Sequence, residues 1–270
     1  CIKLRSSRFS FKEKFMSWPY VIIFYNKVLT KDENMTKKVI VAGVGMIPFK
    51  KPGASENYNI MGEKAARAAL EDAGLDYKLV QQAYVGYVYG DSAAGQAALY
   101  GVGLSGIPIF NVNNYCSTGS SALFLARQAV QSGTIDCAIA LGFEQMTPGA
   151  LDILFEDRPN PLMRFYDEMK SLQGFDESVP WAAQFFGGAG LEHIKEYGTS
   201  VETLAKIRVK ASKHASKNPF AIFNKEVSEE EESGATVVEE LKRKVKKTLR
   251  EVILIMEDKE HQQHIFCNKC

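Results

Sequence analysis

The stretch from Ile107 to Gln131 reads IPIFNVNNYCSTGSSALFLARQAVQ, and it decides how the fold is interpreted. Its first part, residues 107–112, is a short apolar run that predicts a β-strand. Cys116 follows at a predicted turn, and residues 117–131 predict a helix that is apolar on most sides and therefore deeply buried. Ligands in open α/β sheets bind beyond the carboxyl ends of strands, so Cys116 lies where a binding site is expected.

The position of Cys116 favours a nucleophile. The start of a helix offers unpaired N–H groups and a partial positive charge, and both stabilise a thiolate. We therefore expect a lowered pKa at Cys116 and reactivity near neutral pH. The small residues at 117–121 would let a substrate approach the sulfur. The residues alone leave open that Cys116 is an ordinary core residue, as we expect for Cys137 within a strand.

Strands and helices alternate through residues 35–149, which we assign to one domain. The remaining predicted strands of this region are residues 39–45, 83–89 and 137–141, and its remaining predicted helices are residues 60–73 and 94–104. Alternation of this kind predicts β-α-β units and a parallel sheet, hence an α/β fold.

Three further regions differ in composition from that domain. Residues 1–34 are basic, and we expect a disordered or non-native extension, with a transit peptide as the alternative. Residues 150–226 are rich in proline and predict an irregular loop region over the active-site face, with short helical pieces at 192–196 and 201–212. Residues 227–270 predict a charged tail with amphipathic helical spacing.

The composition excludes several classes of protein. Net charge is +1, so the whole chain has no strong positive electrostatic potential that would attract nucleic acid. Hydrophobic content is 46%, an ordinary value for a globular protein. No apolar run approaches the roughly 20 residues that span a bilayer. Five cysteines without regular spacing argue against a disulfide framework and favour a reducing compartment.

Two weaker motifs are interpreted as structural. Gly43-Val-Gly45 follows a strand, but the third glycine of a dinucleotide fingerprint is lacking and Pro48 interrupts the helix that should follow. His261, His264, Cys267 and Cys270 lie closer together than the ligands of ordinary zinc sites. We therefore expect neither a nucleotide cofactor nor a metal.

Beyond these physical arguments, Asn113–Ala122 resembles the nucleophile motif of thiolases. Further segments resemble, in order, the thiolase domain of the sterol carrier protein x type, a peroxisomal 3-oxoacyl-CoA thiolase joined to a lipid carrier. These segments are Val44–Met46, Lys51–Ala54, Val85–Ser92, Gly106–Ile109, Ala140–Glu144, Phe186–Thr199 and Asn218–Phe220. The resemblance covers residues 38–226 and implies a thiolase-like α/β fold, with the first β-α-β-α-β half followed by a loop domain.

The resemblance also implies a function. Cys116 would take the acyl group from a 3-oxoacyl-CoA, and a second coenzyme A would remove it by thiolysis. Met146 would lie near the substrate, although packing explains that residue equally well. Coenzyme A would be a substrate and not a tightly bound cofactor. A homodimer, with the strand before Cys116 near its interface, and a peroxisomal location are implied too, with cytoplasmic or mitochondrial locations as alternatives.

Other catalytic motifs of that family have no counterpart in this sequence. None of the four histidines lies in a Gly-His-Pro motif, and neither Cys267 nor Cys270 is followed by the glycine of a Cys-x-Gly motif. The second half of the family fold and its C-terminal peroxisomal tripeptide have no counterpart either. We therefore expect a truncated chain that has no general base or second catalytic cysteine and is not active alone, since positioned proton transfer contributes roughly 10²–10⁴-fold to such rates.

Three functions remain open from the sequence, the third and weakest being an adaptor that acts through the basic tail at residues 241–250. The first is an acyltransferase of the thiolase type that acts in fatty-acid and sterol side-chain oxidation, in association with lipid transport. The second is a non-catalytic fragment that binds acyl chains or a partner subunit. Rapid alkylation of Cys116 relative to Cys137 separates an activated thiolate from an ordinary thiol.

Overall fold

The computed structural model describes residues 20–26, 39–148, 155–176 and 179–228. The described strands are β1 Tyr20–Asn26, β2 Val39–Met46, β3 Gln82–Gly86, β4 Ile109–Val112 and β5 Cys137–Gly142. The helices are α1 Tyr58–Ala73, α2 Ala94–Tyr100, α3 Thr118–Gln131, α4 Met163–Gln173, α5 Trp181–Tyr197 and α6 Val201–Ala215. Every strand and helix predicted between residues 39 and 141 is present.

The described residues divide into two compact units. The larger unit contains residues 20–160 and 212–226 as far as they are described, and it holds the whole sheet. The smaller unit contains residues 161–211 as far as they are described, with α4, α5 and most of α6, together with residues 227–228.

The five strands form one mixed sheet in the order β2-β1-β5-β3-β4. β3 pairs in parallel with both β4 and β5, as β-α-β units require. β1 pairs antiparallel with β2 on one side and with β5 on the other. β2 and β5 are therefore parallel to each other and are joined through β1.

β1 corrects the prediction for the N-terminal region. Residues 1–34 were expected to be disordered or non-native, but residues 20–26 form a strand inside the sheet. The run from Val21 to Phe24 is fully or almost fully buried, because both faces of this strand are covered. An apolar run of this length does not distinguish a buried strand from a buried helix, and one of its two partner strands, β5, lies far away in the chain. The rest of the region lies outside the described residues.

The core of the larger unit forms where α1 packs on β2. Small residues dominate this face of α1, among them Ala65 and Ala69, which are completely buried. A Cβ atom added at Gly43 or Gly45 would collide with the carbonyl oxygens of Ala69 and Ala65 respectively. The absence of side chains at these two glycines lets the strand lie directly against the helix backbone.

α3 covers the sheet with one stripe of residues spaced four apart. Thr118, Ala122, Ala126 and Val130 are buried. The opposite side of the helix is open, and Phe124 is 61% exposed. The expectation of a helix buried on most sides was therefore wrong for the described chain, because only the sheet side of α3 has a packing partner there.

The smaller unit is more regular than predicted. The short helical piece at 192–196 belongs to α5, a helix of 17 residues that begins at Trp181. Several glycines within α5 hid this helix, since glycine is unfavourable in helix interiors. Trp181 contacts the rings of Tyr166 and Phe175 at centroid distances of 4.2 Å each, and the ammonium group of Lys170 lies 4.6 Å from the Trp181 ring.

Candidate active site

Cys116 lies in the tight turn between β4 and α3, and it is exposed. The preceding residue, Tyr115, has φ of 46°, a left-handed conformation that non-glycine residues seldom adopt. Strained backbone of this kind is concentrated at functional sites, where the surrounding structure enforces it. The turn therefore presents the thiol at the carboxyl end of a strand, as the sequence predicted.

Hydrogen bonds across the turn hold it in this shape. The backbone N–H of Asn114 donates to Oγ1 of the buried Thr118 at 2.8 Å. The side-chain amide of Asn114 donates to Oγ of Ser121 at 3.0 Å, one turn further along α3. The hydroxyl of Ser117 donates to the carbonyl oxygen of Asn114 at 2.8 Å. The residues on both sides of Cys116 are thus fixed to the start of the helix.

The N-terminus of α3 directs its positive end towards the same turn. Ser117 is the N-cap residue, but its side chain makes no capping hydrogen bond to the helix amides. The amide dipoles at the start of a helix stabilise negative charge within the first turn. This arrangement favours a thiolate at Cys116 and an anionic oxygen close to it.

The end of β3 packs against the first turn of α3. A Cβ atom added at Gly86 would lie 2.7 Å from Cγ2 of Thr118 and 2.9 Å from its carbonyl oxygen. The N–H of Tyr87 donates to the carbonyl oxygen of Val112 at 3.3 Å, which joins the segments that follow β3 and β4. The first turn of α3 can approach β3 this closely because residue 86 has no side chain.

The segment after β5 organises the neighbouring loops. The carboxylate of Glu144 accepts hydrogen bonds from the N–H groups of Val88 and Tyr89, each at 2.9 Å. The side-chain oxygen of Gln145 accepts from the N–H of Tyr58 at the start of α1. The carbonyl oxygen of Met146 accepts from the N–H of Gly53 at 3.0 Å.

Glu144 is the structural residue that the sequence interpretation missed. Burial raises the pKa of its carboxyl, and the hydrogen bonds from the amides of Tyr89 and Val88 offset part of that rise. The neighbouring Phe143 ring is stacked between the rings of Tyr58 and Tyr87, at centroid distances of 5.3 Å and 5.2 Å. The sequence signal was a carboxylate two residues after the end of a fully buried strand.

Cys137 is chemically unlike Cys116, as predicted. It lies at the start of β5 and is only 2% exposed. Burial, together with the nearby charge of Asp136, raises the pKa of the Cys137 thiol to about 11. It therefore remains a protonated core thiol near neutral pH.

The other predicted residues are dispersed. Met146 lies half-buried in the loop after β5, and its proposed place near the substrate stays a prediction. His193 and His214, the two histidines within the described residues, are both exposed, on α5 and α6. No group of three potential metal ligands occurs in the described part of the chain. The weak zinc motif at 261–270 lies outside that part.

No helix within the described ranges has both the length and the apolar character needed to cross a bilayer.

Comparison with known proteins gives a consistent picture. The model of the thiolase N-terminal domain matches residues 39–252. The chain is 48% identical to sterol carrier protein 2 of Bos taurus over 199 residues, which cover 73% of this chain and 36% of that protein. It is 32% identical to the benzoylsuccinyl-CoA thiolase subunit BbsB of Thauera aromatica over 207 residues, covering 76% of this chain and 50% of that one.

The chain thus spans about a third of the length of sterol carrier protein 2 from Bos taurus, and the same 36% holds for the protein from Homo sapiens. Among solved structures, the Ltp2–ChsH2(DUF35) aldolase aligns with a TM-score of 0.55 at 19% identity, covering 72% of this chain and 47% of that one. At this identity the structural likeness concerns the fold alone.

Proposed function

The chain belongs to the thiolase family, and on that premise we propose that Cys116 accepts an acyl group from an acyl-CoA and transfers it to coenzyme A. One observation carries the proposal: the exposed thiol lies in the strained turn at the N-terminus of α3. The second described cysteine, Cys137, is buried and keeps its proton. Of the two cysteines in the described ranges, we therefore assign the chemistry to Cys116.

The proposed reaction has two steps. The Cys116 thiolate adds to the C3 carbonyl carbon of a 3-oxoacyl-CoA, and cleavage of the C2–C3 bond leaves its electron pair on C2 of the departing acyl-CoA. Protonation of that carbon releases the shorter acyl-CoA and leaves a thioester on Cys116. The thiolate of a second coenzyme A then attacks the thioester carbonyl, and the Cys116 thiolate departs.

The turn stabilises the charges that develop in these steps. The amide dipoles of α3 favour the thiolate before attack and again when it departs. An oxyanion formed at the attacked carbonyl would lie near the same positive end of the helix, which is the general way in which backbone amides stabilise such intermediates.

Proton transfer requires a further group. Neither histidine of the described residues comes from the elements that build the turn, because His193 belongs to α5 and His214 to α6. We propose that the described residues provide the acyl-accepting thiol, and that the proton for the departing carbon comes from elsewhere. Water then supplies that proton, so the expected behaviour of this chain by itself is slow acylation of Cys116 with little repeated turnover.

Several finer points rest on the likeness to sterol carrier protein 2 and stay predictions. They are a preference for branched or sterol side-chain acyl groups, a role for Met146 in the acyl pocket, a homodimer and a peroxisomal location. The Thauera aromatica relative is named a thiolase that acts on a benzoylsuccinyl-CoA, which supports an acyl-CoA substrate for this family at large.

The proposal is tested by asking whether an acyl group is transferred to the sulfur of Cys116. The purified chain is incubated with acetoacetyl-CoA, and tryptic peptides are examined by mass spectrometry for an acetyl thioester. We expect the adduct on Cys116, unchanged in the Cys137→Ser variant and absent in the Cys116→Ser variant. Iodoacetamide labelling near neutral pH should modify Cys116 at least about ten-fold faster than Cys137.

The outcomes separate the two candidate functions. Equally slow alkylation of both thiols, with no thioester, overturns the proposal. Rapid alkylation of Cys116 without a thioester would favour the alternative in which the chain binds acyl chains or a partner but does not transfer the acyl group.

A further inference from the structure

β1 has an unusual place in the sheet. It lies between β2 and β5, and it is the strand through which β2 is joined to the rest of the sheet. Ile22 pairs with Val44 on one side and with Ala140 on the other, and Ile23 pairs with Gly43 and Ile139. Without β1, β2 would have no strand partner within the described residues, and β5 would expose one edge.

Both faces of β1 are covered as well as both edges. Val21 and Ile23 are fully buried, and Ile22 and Phe24 are at most 7% exposed. Successive side chains of a strand point to opposite faces, so burial of four consecutive residues means that the sheet is covered on each side at this position. Residues of α1 and α3 contact the strand. An internal strand of this kind contributes much of the stability of its sheet.

The residues of β1 lie outside the part of the chain that matches the family. The thiolase N-terminal domain begins at Val39, at the first residue of β2. The family-matched part thus contains β2 and β5 and also the helices above and below them, but not the strand that joins them. Residues 27–38 connect Asn26 to Val39 and lie outside the described ranges.

We infer that β2 and β5 form an acceptor site for one antiparallel apolar strand, and that the segment Tyr20–Asn26 of this chain fills it from outside the family-matched part. Recognition is by β-augmentation on two edges, with backbone hydrogen bonds to both neighbours and apolar side chains on both faces. The ligand class is an extended segment of seven residues with a central β-branched apolar pair, here Ile22 and Ile23.

The acceptor site imposes two requirements on its occupant. Each residue must have a backbone N–H for the ladder, so proline is not tolerated within the segment. Charged residues are not tolerated at the fully buried positions Val21 and Ile23, because burial of an unpaired charge is costly. The native segment meets both requirements from Val21 to Phe24.

The first experiment uses the full chain. Ile23→Lys places a charge at a fully buried position of β1, whereas Val41→Lys places the same charge on β2 at a residue that is 36% exposed. We expect Ile23→Lys to abolish the hydrogen-exchange protection of β2 amides and Val41→Lys to preserve it. Equal protection in both variants would contradict the acceptor site.

The second experiment tests whether the segment is separable. Residues 28–34 are replaced by a site-specific protease sequence, the folded chain is cut, and the fragment with β1 is removed in denaturant. The remaining body is refolded with a fluorescent peptide of residues 18–28, or with the same peptide carrying Ile23→Pro.

We expect the native peptide to restore amide protection in β2 and β5 and to bind at least about ten-fold more tightly than the proline peptide. Three results would overturn the inference: recovery of protection without any peptide, equal binding of the two peptides, and failure of the native peptide to bind. None of these readouts involves acyl transfer, so the inference and the proposed function can fail separately.

Discussion

At the scale of single residues, Glu144 shows how a buried carboxylate can hold a loop in place. Its two oxygens accept separate hydrogen bonds from the amides of Val88 and Tyr89, in the loop that follows β3. Burial raises the pKa of the Glu144 carboxyl above the ordinary value for glutamate. Burial removes water from the ionised carboxylate of Glu144, and the two hydrogen bonds from the loop offset only part of that cost.

Glu144→Gln should weaken this attachment. An amide has one acceptor oxygen, so one of the two loop N–H groups loses its partner, and we expect a loss of about 1–3 kcal/mol in the free energy of unfolding. Urea denaturation of both proteins measures it. Glu56→Gln, at an exposed glutamate that pairs with Lys64, is the control and should change the midpoint little.

The difference in the free energy of unfolding between the wild type and Glu144→Gln should change with pH in one direction. Because the pKa of Glu144 is raised in the folded state, the folded chain binds a proton there more tightly than the unfolded chain does. The stability contributed by Glu144 is then greatest at acid pH and falls as the pH rises from the ordinary carboxyl range through the raised pKa. The stability difference between wild type and Glu144→Gln should thus be smaller near neutral pH than near pH 4, at about the ordinary glutamate pKa. An increase over this range would contradict the assignment.

At the scale of elements, the shape of the turn that contains Cys116 depends on how closely α3 approaches β3. Gly86 faces the first turn of α3, where the methyl and carbonyl groups of Thr118 occupy the space of a side chain. The same Thr118 accepts the N–H of Asn114 and so fixes the turn that holds Cys116. If the start of α3 moves, Thr118 moves with it, and the hydrogen bond from Asn114 to Thr118 then shifts the turn that contains Cys116.

Gly86→Ala should disturb both stability and reactivity. The added methyl group lies within 3.0 Å of three atoms of Thr118, so the helix start must move, at a cost of about 1–3 kcal/mol. We expect slower alkylation of Cys116 by iodoacetamide in the folded protein. Gly190→Ala is the control, since nothing lies within 4 Å of the added atom and alanine favours helices. A Cys116 rate unchanged in Gly86→Ala would show that the helix start does not control the thiol.

At the scale of the whole molecule, Cys137 reports on the unfolding of the larger unit. It lies in β5, next to the strand that joins the two sides of the sheet, and its thiol is protonated and buried. Access to its sulfur requires opening of the sheet, whereas Cys116 is exposed in the folded chain. The two thiols therefore provide internal probes of global and local structure.

Alkylation in increasing urea should show this difference. Labelling of Cys137 should follow the loss of far-ultraviolet circular dichroism, whereas Cys116 should be labelled below the transition, at a rate that falls to that of an ordinary exposed thiol once α3 unfolds. Ile139→Ala removes a fully buried side chain from β5 and should lower the Cys137 midpoint by the equivalent of about 2–5 kcal/mol. Val44→Ala, at a residue that is 44% exposed, should not. Labelling of Cys137 well below the unfolding transition would contradict a single cooperative sheet.

The sequence by itself determined the alternation of strands and helices from β2 to β5 and the place of Cys116 at a strand-to-helix turn. These features are local, because hydrophobic periodicity, small residues and glycine stops lie within one or two elements. The thiolase resemblance was confirmed by the match over residues 39–252. The low exposure of Cys137 also followed from its position within an apolar strand.

Only the tertiary structure decided the place of Tyr20–Asn26 in the sheet, the open side of α3 and the role of Glu144. The partners of β1 are β2 and β5, and β5 begins at Cys137, more than a hundred residues along the chain. The amides bound by Glu144 lie 55 and 56 residues before it. Pairings over such separations depend on which edges and faces the folded core leaves vacant, and no local pattern of residues specifies them.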